Sequence, residues 1–132
     1  MSRLNELLHQ AGSIGRNGDG SITRVGFSRE YFQALELLKE KMEELGMRTE
    51  TDPVGNLHGI LPGTDPKAGI IAIGSHLDTV IRGGLYDGML GVAGAIEAAA
   101  RLREEGRRLR HSLEIWGFNI CLLYTSDAAD EL

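Results

Sequence analysis

The chain has 132 residues, 42% apolar, 25% charged and only 5% aromatic, which points to one small globular domain or part of a larger one rather than several domains. With 14 Lys and Arg against 19 Asp and Glu the formal charge is -5, so no broad basic field is present to concentrate nucleic acid. No apolar run nears the ~20 residues that span a bilayer, and the start MSRLNELLHQ lacks a signal-peptide layout, so a cytoplasmic protein with no membrane partner is expected.

In chain order, Leu4, Leu7 and Leu8 fall at helical spacing within residues 3–11, followed by a glycine-rich loop over residues 12–20. Residues 27–46 form the clearest helix, with Tyr31, Leu35, Leu38, Met42 and Leu45 on one stripe. Ser28 is its expected N-cap, Phe27 and Phe32 a hydrophobic staple, and Gly46 its left-handed stop. Short extended segments at residues 47–51 and 57–61 flank a DPVGN turn. The apolar run 69–73 reads as a strand buried on both faces, residues 92–105 as a closely packed alanine-rich helix, and residues 113–119 as a further strand. Strand, helix, strand with so long a connection predicts parallel pairing and an α/β fold.

The chemistry concentrates in GSHLDTVIRGGLYDG, residues 74–88, between a strand and a helix, where open α/β sheets place ligands. In extended chain His76 and Asp78 share a side, so Asp78 can orient the imidazole nitrogen not used elsewhere. Gly83 and Gly84 are expected to let the loop fold back and bring Asp87 near His76. On spacing alone His76 reads equally as a metal ligand or as a hydrogen-bonded histidine at a strand end. The one cysteine, Cys121, cannot build a thiolate site, so any metal must be held by histidine and carboxylate.

This segment, GSHLDTV-x-x-GG-x-YDG-x-LGV, resembles the metal-binding segment of the amidase/hydantoinase/carbamoylase family of dinuclear metallohydrolases. GDGSITRVGFS and D-x-x-GNLHG-x-x-PG upstream are also similar to that family, so the resemblance covers residues 4–120. It implies the N-terminal part of a metallopeptidase-like catalytic domain, a sheet flanked by helices. By the same resemblance His76 would bind one metal, Asp87 would bridge two, and Asp78 would be the supporting catalytic residue that orients His76. The implied cofactor is a pair of divalent ions, zinc or manganese. The implied substrate is an N-carbamoyl-L-amino acid or an allantoate-like ureido acid, and the implied parent is a homodimer with a second, smaller lid domain. The runner-up is a dipeptidase or aminoacylase of the wider group, and a third reading is a non-catalytic metal-binding remnant.

The family places a glutamate pair after the strand that HSLEIWGFN resembles; here Asn119 and Ile120 are followed by CLLYTSDAADEL. That string resembles the translation of a transposon-based sequencing adapter, so residues 121–132 are expected to be a non-native tail. Too few ligands remain to hold two ions, so the chain is expected to be inactive alone and to expose sheet edges and apolar surface. His9 and His111 read as solvated or capping groups and His58 as structural. Glu97, Glu104 and Glu105 read as helix surface, and the arginines at 101–110 as a helix end and turn favoured by the dipole.

Overall fold

The computed structural model describes residues 1–120; the expected tail at 121–132 lies outside them. Helix α1 spans Arg3–Ser13, two residues beyond its expected end, and is capped by Ser2, whose hydroxyl accepts the Asn5 amide. Helix α2 spans Arg29–Glu44 with Ser28 accepting the Tyr31 amide at 3.1 Å, the expected N-cap. Phe27, at φ 61°, turns the chain into α2 and brings its ring 6.4 Å from that of Phe32, the expected staple. Gly46, at φ 81°, ends the helix in the left-handed conformation that a side chain resists.

Strands β1 (Arg48–Thr51), β2 (Leu57–Leu61), β3 (Ile70–His76) and β4 (Ser112–Phe118) form one sheet in the order β1-β2-β4-β3. β1–β2 and β2–β4 are antiparallel, whereas β3 and β4 run parallel, with Ile70 opposite Ser112 and His76 opposite Phe118. Helix α3 (Met89–Glu104) makes the crossover between them and starts three residues earlier than the alanine pattern predicts. The α/β reading with a parallel pair therefore holds.

The core lies between the helices and the sheet face that carries Leu57, Leu113 and Ile115. Tyr31, Leu35, Leu38 and Met42 of α2 are buried there, each large aliphatic side chain contributing about 1.5–3 kcal/mol. Small residues bring α3 close to β3: a Cβ on Gly91 would stand 2.7 Å from the Ser75 Cβ. On the opposite face His58 stacks on Trp116 at 3.9 Å and Trp116 on Phe118 at 5.9 Å, without a helix over them among the described residues.

One expectation fails. The run 69–73 is not buried on both faces: β3 is an edge strand, and Ile70, Ile71 and Ile73 are 60%, 41% and 37% exposed. The residues are apolar enough for a central strand, but among the described residues β3 has a partner on only one side. The companion expectation, an exposed apolar sheet edge, is met.

An open, flat, aliphatic edge templates pairing with another chain. The 132-residue chain should therefore self-associate with rising concentration in sedimentation velocity. Ile70→Lys with Ile71→Lys should shift it toward monomer while changing unfolding free energy by no more than about 0.5 kcal/mol; unchanged association would exclude β3 as the contact.

Candidate metal centre

β3 and β4 end side by side, and the loop after β3 carries the three residues expected at a site. The Leu77 amide donates to Phe118 O at 2.8 Å, extending the parallel ladder one step past His76. The chain then leaves the sheet and satisfies its polar groups elsewhere, as buried backbone must. Ile22 and Gly83 exchange two main-chain hydrogen bonds, at 2.9 and 2.7 Å. Thr79 N donates to Arg24 O at 2.8 Å, and Arg24 N donates to Thr79 Oγ1 at 2.7 Å. The glycine-rich segment after α1 is thus a brace for this loop, held in its own turn by the Arg16–Ile22 bridge and by Gly15 and Gly20 in left-handed conformations.

His76 and Asp87 come together as expected: His76 Nε2 lies 3.1 Å from Asp87 Oδ1. The other ring nitrogen, Nδ1, lies 2.8 Å from the main-chain carbonyl of Asp78. A carbonyl only accepts, so Nδ1 bears the proton and Nε2 of the neutral ring presents its lone pair to a carboxylate oxygen. Two acceptors this close need a cation in common, either a proton on Nε2 or a metal ion. Metal bonds of about 2.0–2.2 Å to nitrogen and oxygen set neighbouring ligands about 3 Å apart, so the pair fits two ligands of one ion. Two ligands are too few to hold it firmly, and among the described residues no group of three or more His, Cys, Asp or Glu side chains is placed to do so.

Asp78 reaches His76 in a different way from that expected. Its carbonyl makes the orienting contact, while its carboxylate, fully buried, stands 3.8 Å from Nδ1. That carboxylate interacts electrostatically with Arg24, the largest fully buried side chain among the described residues. Burial pushes the Arg24 guanidinium down to about 10, and Asp78 opposes the shift.

The turn that returns Asp87 also differs. Gly83 and Gly84 are not in the left-handed region; Arg82 (φ 60°) and Gly88 (φ 72°) are. Gly83 serves close approach to Thr79 and Ile22, and Gly84 faces open space. At Gly88 a Cβ would fall 2.4 Å from His76 Cε1, Nδ1 and O, so only glycine fits behind the imidazole.

Sequence reasoning passed over Arg24, Gly88 and a set of contacts that fixes the end of β4. Arg24 left one signal, as the only charged residue between Asp19 and Arg29. At β4, Asn119 N donates to Asn56 Oδ1 at 2.8 Å and Asn119 Nδ2 to Val54 O at 2.9 Å. Asp52 caps this turn by accepting from the amides of Val54 and Asn56, and Tyr31 donates its hydroxyl to Gly55 O at 2.6 Å. The residues read as structural remain so. His111 Nδ1 meets Gly69 O, Glu97 pairs with Arg3 and Arg101, and Arg110 pairs with Asp65. His58 Nε2 stands 3.2 Å from Glu114 without hydrogen-bond alignment.

Residues 56–120 match the family model described as Peptidase family M28. The chain is 37% identical over 116 residues to the N-carbamoyl-L-amino acid amidohydrolase of Geobacillus stearothermophilus, covering 88% of this chain and 28% of that protein. It is 36% identical over 111 residues to the allantoate amidohydrolase of Bacillus subtilis (strain 168), covering 84% and 27%. A crystal structure of a hydantoinase/carbamoylase family amidase from Burkholderia ambifaria superposes with a TM-score of 0.85 at 32% identity, over 88% of this chain and 29% of that one. The chain therefore spans little more than a quarter of the length of these relatives.

Gly88→Ala should lower stability by about 1–3 kcal/mol in chemical denaturation, from its left-handed φ and the clash with His76. Gly84→Ala, facing open space, should stay near wild type; equal effects would show that the approach to His76 is not what constrains Gly88.

Proposed function

We propose, starting from the chain's membership of the hydantoinase/carbamoylase family of amidases, that residues 1–120 are the front part of the catalytic domain of a metal-dependent hydrolase. The bond cleaved is a linear amide C–N bond, and the substrate an N-carbamoyl-L-amino acid or an allantoate-like ureido acid. The observation that carries this reading is the His76 imidazole, anchored through Nδ1 and facing the Asp87 carboxylate at 3.1 Å, at the carboxyl end of a parallel strand.

In this reading His76, through Nε2, and the Asp87 carboxylate would be the residues of this chain that hold the metal. Divalent ions bound there, zinc or manganese, would supply Lewis acidity toward the substrate carbonyl and a water more acidic than bulk. The residues of this chain do the holding. The Asp78 carbonyl fixes the tautomer and plane of His76, and the Arg24 guanidinium is buried with the Asp78 carboxylate beneath it. The general base belongs to the glutamate pair that the family places just beyond β4, and the Asn56–Asn119 contacts hold the chain at that point. The proposal extends to a cytoplasmic homodimer and to residues 121–132 as a non-native tail. Among the described residues no helix is long and apolar enough to cross a membrane.

A second reading, hydrolysis of a peptide or N-acyl bond at the same centre, is favoured by the match of residues 56–120 to Peptidase family M28. Sequencing the source DNA past codon 120 should reveal two adjacent glutamate codons. The protein that it encodes should turn over N-carbamoyl amino acids or allantoate, lose activity to a chelator, and regain it with zinc or manganese. Turnover of dipeptides alone would select the second reading. The 132-residue chain supplied with either metal should show no turnover, since it holds only two of the ligands; metal-dependent turnover by it would refute this assignment of the missing groups.

A further inference from the structure

We infer that Arg24 is a positioning residue of the candidate centre, clamping residues 77–79 so that the Asp78 carbonyl holds His76 in one tautomer. The inference rests on the reading of His76 as a ligand, but its geometry stands independently. Arg24 is 1% exposed, and its side-chain donors go to main-chain carbonyls of two separate segments. Nε donates to Leu77 O at 2.9 Å, and Nη1 donates to Ala11 O at 3.2 Å and Ile14 O at 3.4 Å.

Its own amide and carbonyl are both engaged by Thr79, whose hydroxyl also donates to Ile22 O at 3.2 Å. Leu77 and Thr79 are thus fixed on either side of Asp78, and the peptide whose carbonyl meets His76 Nδ1 cannot rotate without breaking them. The side chain holds Leu77 and the main chain holds Thr79, so this one residue grips both neighbours of the residue that orients the imidazole. Lysine would keep the charge beside Asp78 but has one compact ammonium and cannot reproduce the planar fork that spans Leu77 and the end of α1.

The test reads the tautomer of His76 in the 132-residue chain by long-range proton–nitrogen NMR correlation, at about pH 8.5, above the ordinary imidazole range. The signal is assigned by its loss in His76→Gln. The wild-type chain should show a fixed Nδ1–H form. Arg24→Lys should retain the helical circular dichroism of wild type yet show a tautomer average, and zinc chloride should titrate His76 with affinity weakened about tenfold or more. Met42→Ala, which opens the core under α2 away from the centre, is the control: it should lower stability and leave the His76 signal unchanged.

A fixed Nδ1–H form in Arg24→Lys, or the same averaging in Met42→Ala, would overturn the inference. If zinc leaves wild-type His76 unperturbed while Arg24→Lys still releases the tautomer, the metal reading fails and the positioning role stands. Should Arg24→Lys not fold, Thr79→Val removes the hydroxyl on the loop side of the clamp. It should loosen the His76 tautomer in the same direction, and an unchanged signal would equally overturn the inference.

Discussion

The parallel pairing of β3 with β4 is the constraint on which the rest of the molecule depends. Two parallel strands cannot be joined by a hairpin, so the chain between His76 and Ser112 must leave one end of the sheet and return to the other. That route brings two carboxyl ends together, puts a loop above them, and lays α3 along the sheet. The loop has no ladder of its own. It draws its main-chain partners from residues 22–24, which is why a glycine-rich segment far away in sequence belongs to the same structure as His76.

Once the loop is placed, the polar groups at its base constrain one another. The Asp78 carboxylate is fully buried, a costly position for a charge without compensation, and the Arg24 guanidinium is buried with it. Because the Arg24 side chain grips Leu77 O while its main chain grips Thr79, charge compensation and backbone placement on either side of Asp78 are accomplished by one residue. The His76 ring is the beneficiary: its Nδ1 is committed to a carbonyl, Gly88 leaves room behind it, and its lone pair is turned toward Asp87. His58 offers a contrast within the same sheet. It also faces a carboxylate, that of Glu114, but it is stacked on Trp116 on the open face of the sheet, paired in register with the middle of β4.

The uncovered aliphatic edge and the bare aromatic face belong to the same sheet. Ile70, Ile71 and Ile73 are side chains suited to an interior strand, standing at the margin of a four-stranded sheet. The relatives are more than three times as long as the stretch this chain shares with them.

Much of the fold was legible in the residues because its causes are local. Ser28, the Tyr31-to-Met42 stripe and Gly46 define α2 through capping and periodicity alone, and the long connection after β3 dictates parallel pairing whatever the details. His76 and Asp87 were singled out through the family resemblance of their segment, since on spacing alone His76 reads equally as a metal ligand or as a hydrogen-bonded histidine. Tertiary structure alone decided which groups hold them. That the Asp78 carbonyl rather than its carboxylate orients His76, and that Gly88 rather than Gly83 or Gly84 makes room, depends on how the loop is twisted above the sheet. Arg24 lies 53 residues from the carbonyl it grips, and the exposure of β3 depends on what lies beyond its edge. Residue type and spacing encode which side chains can do chemistry, whereas contacts between distant segments exist only once the backbone has closed around them.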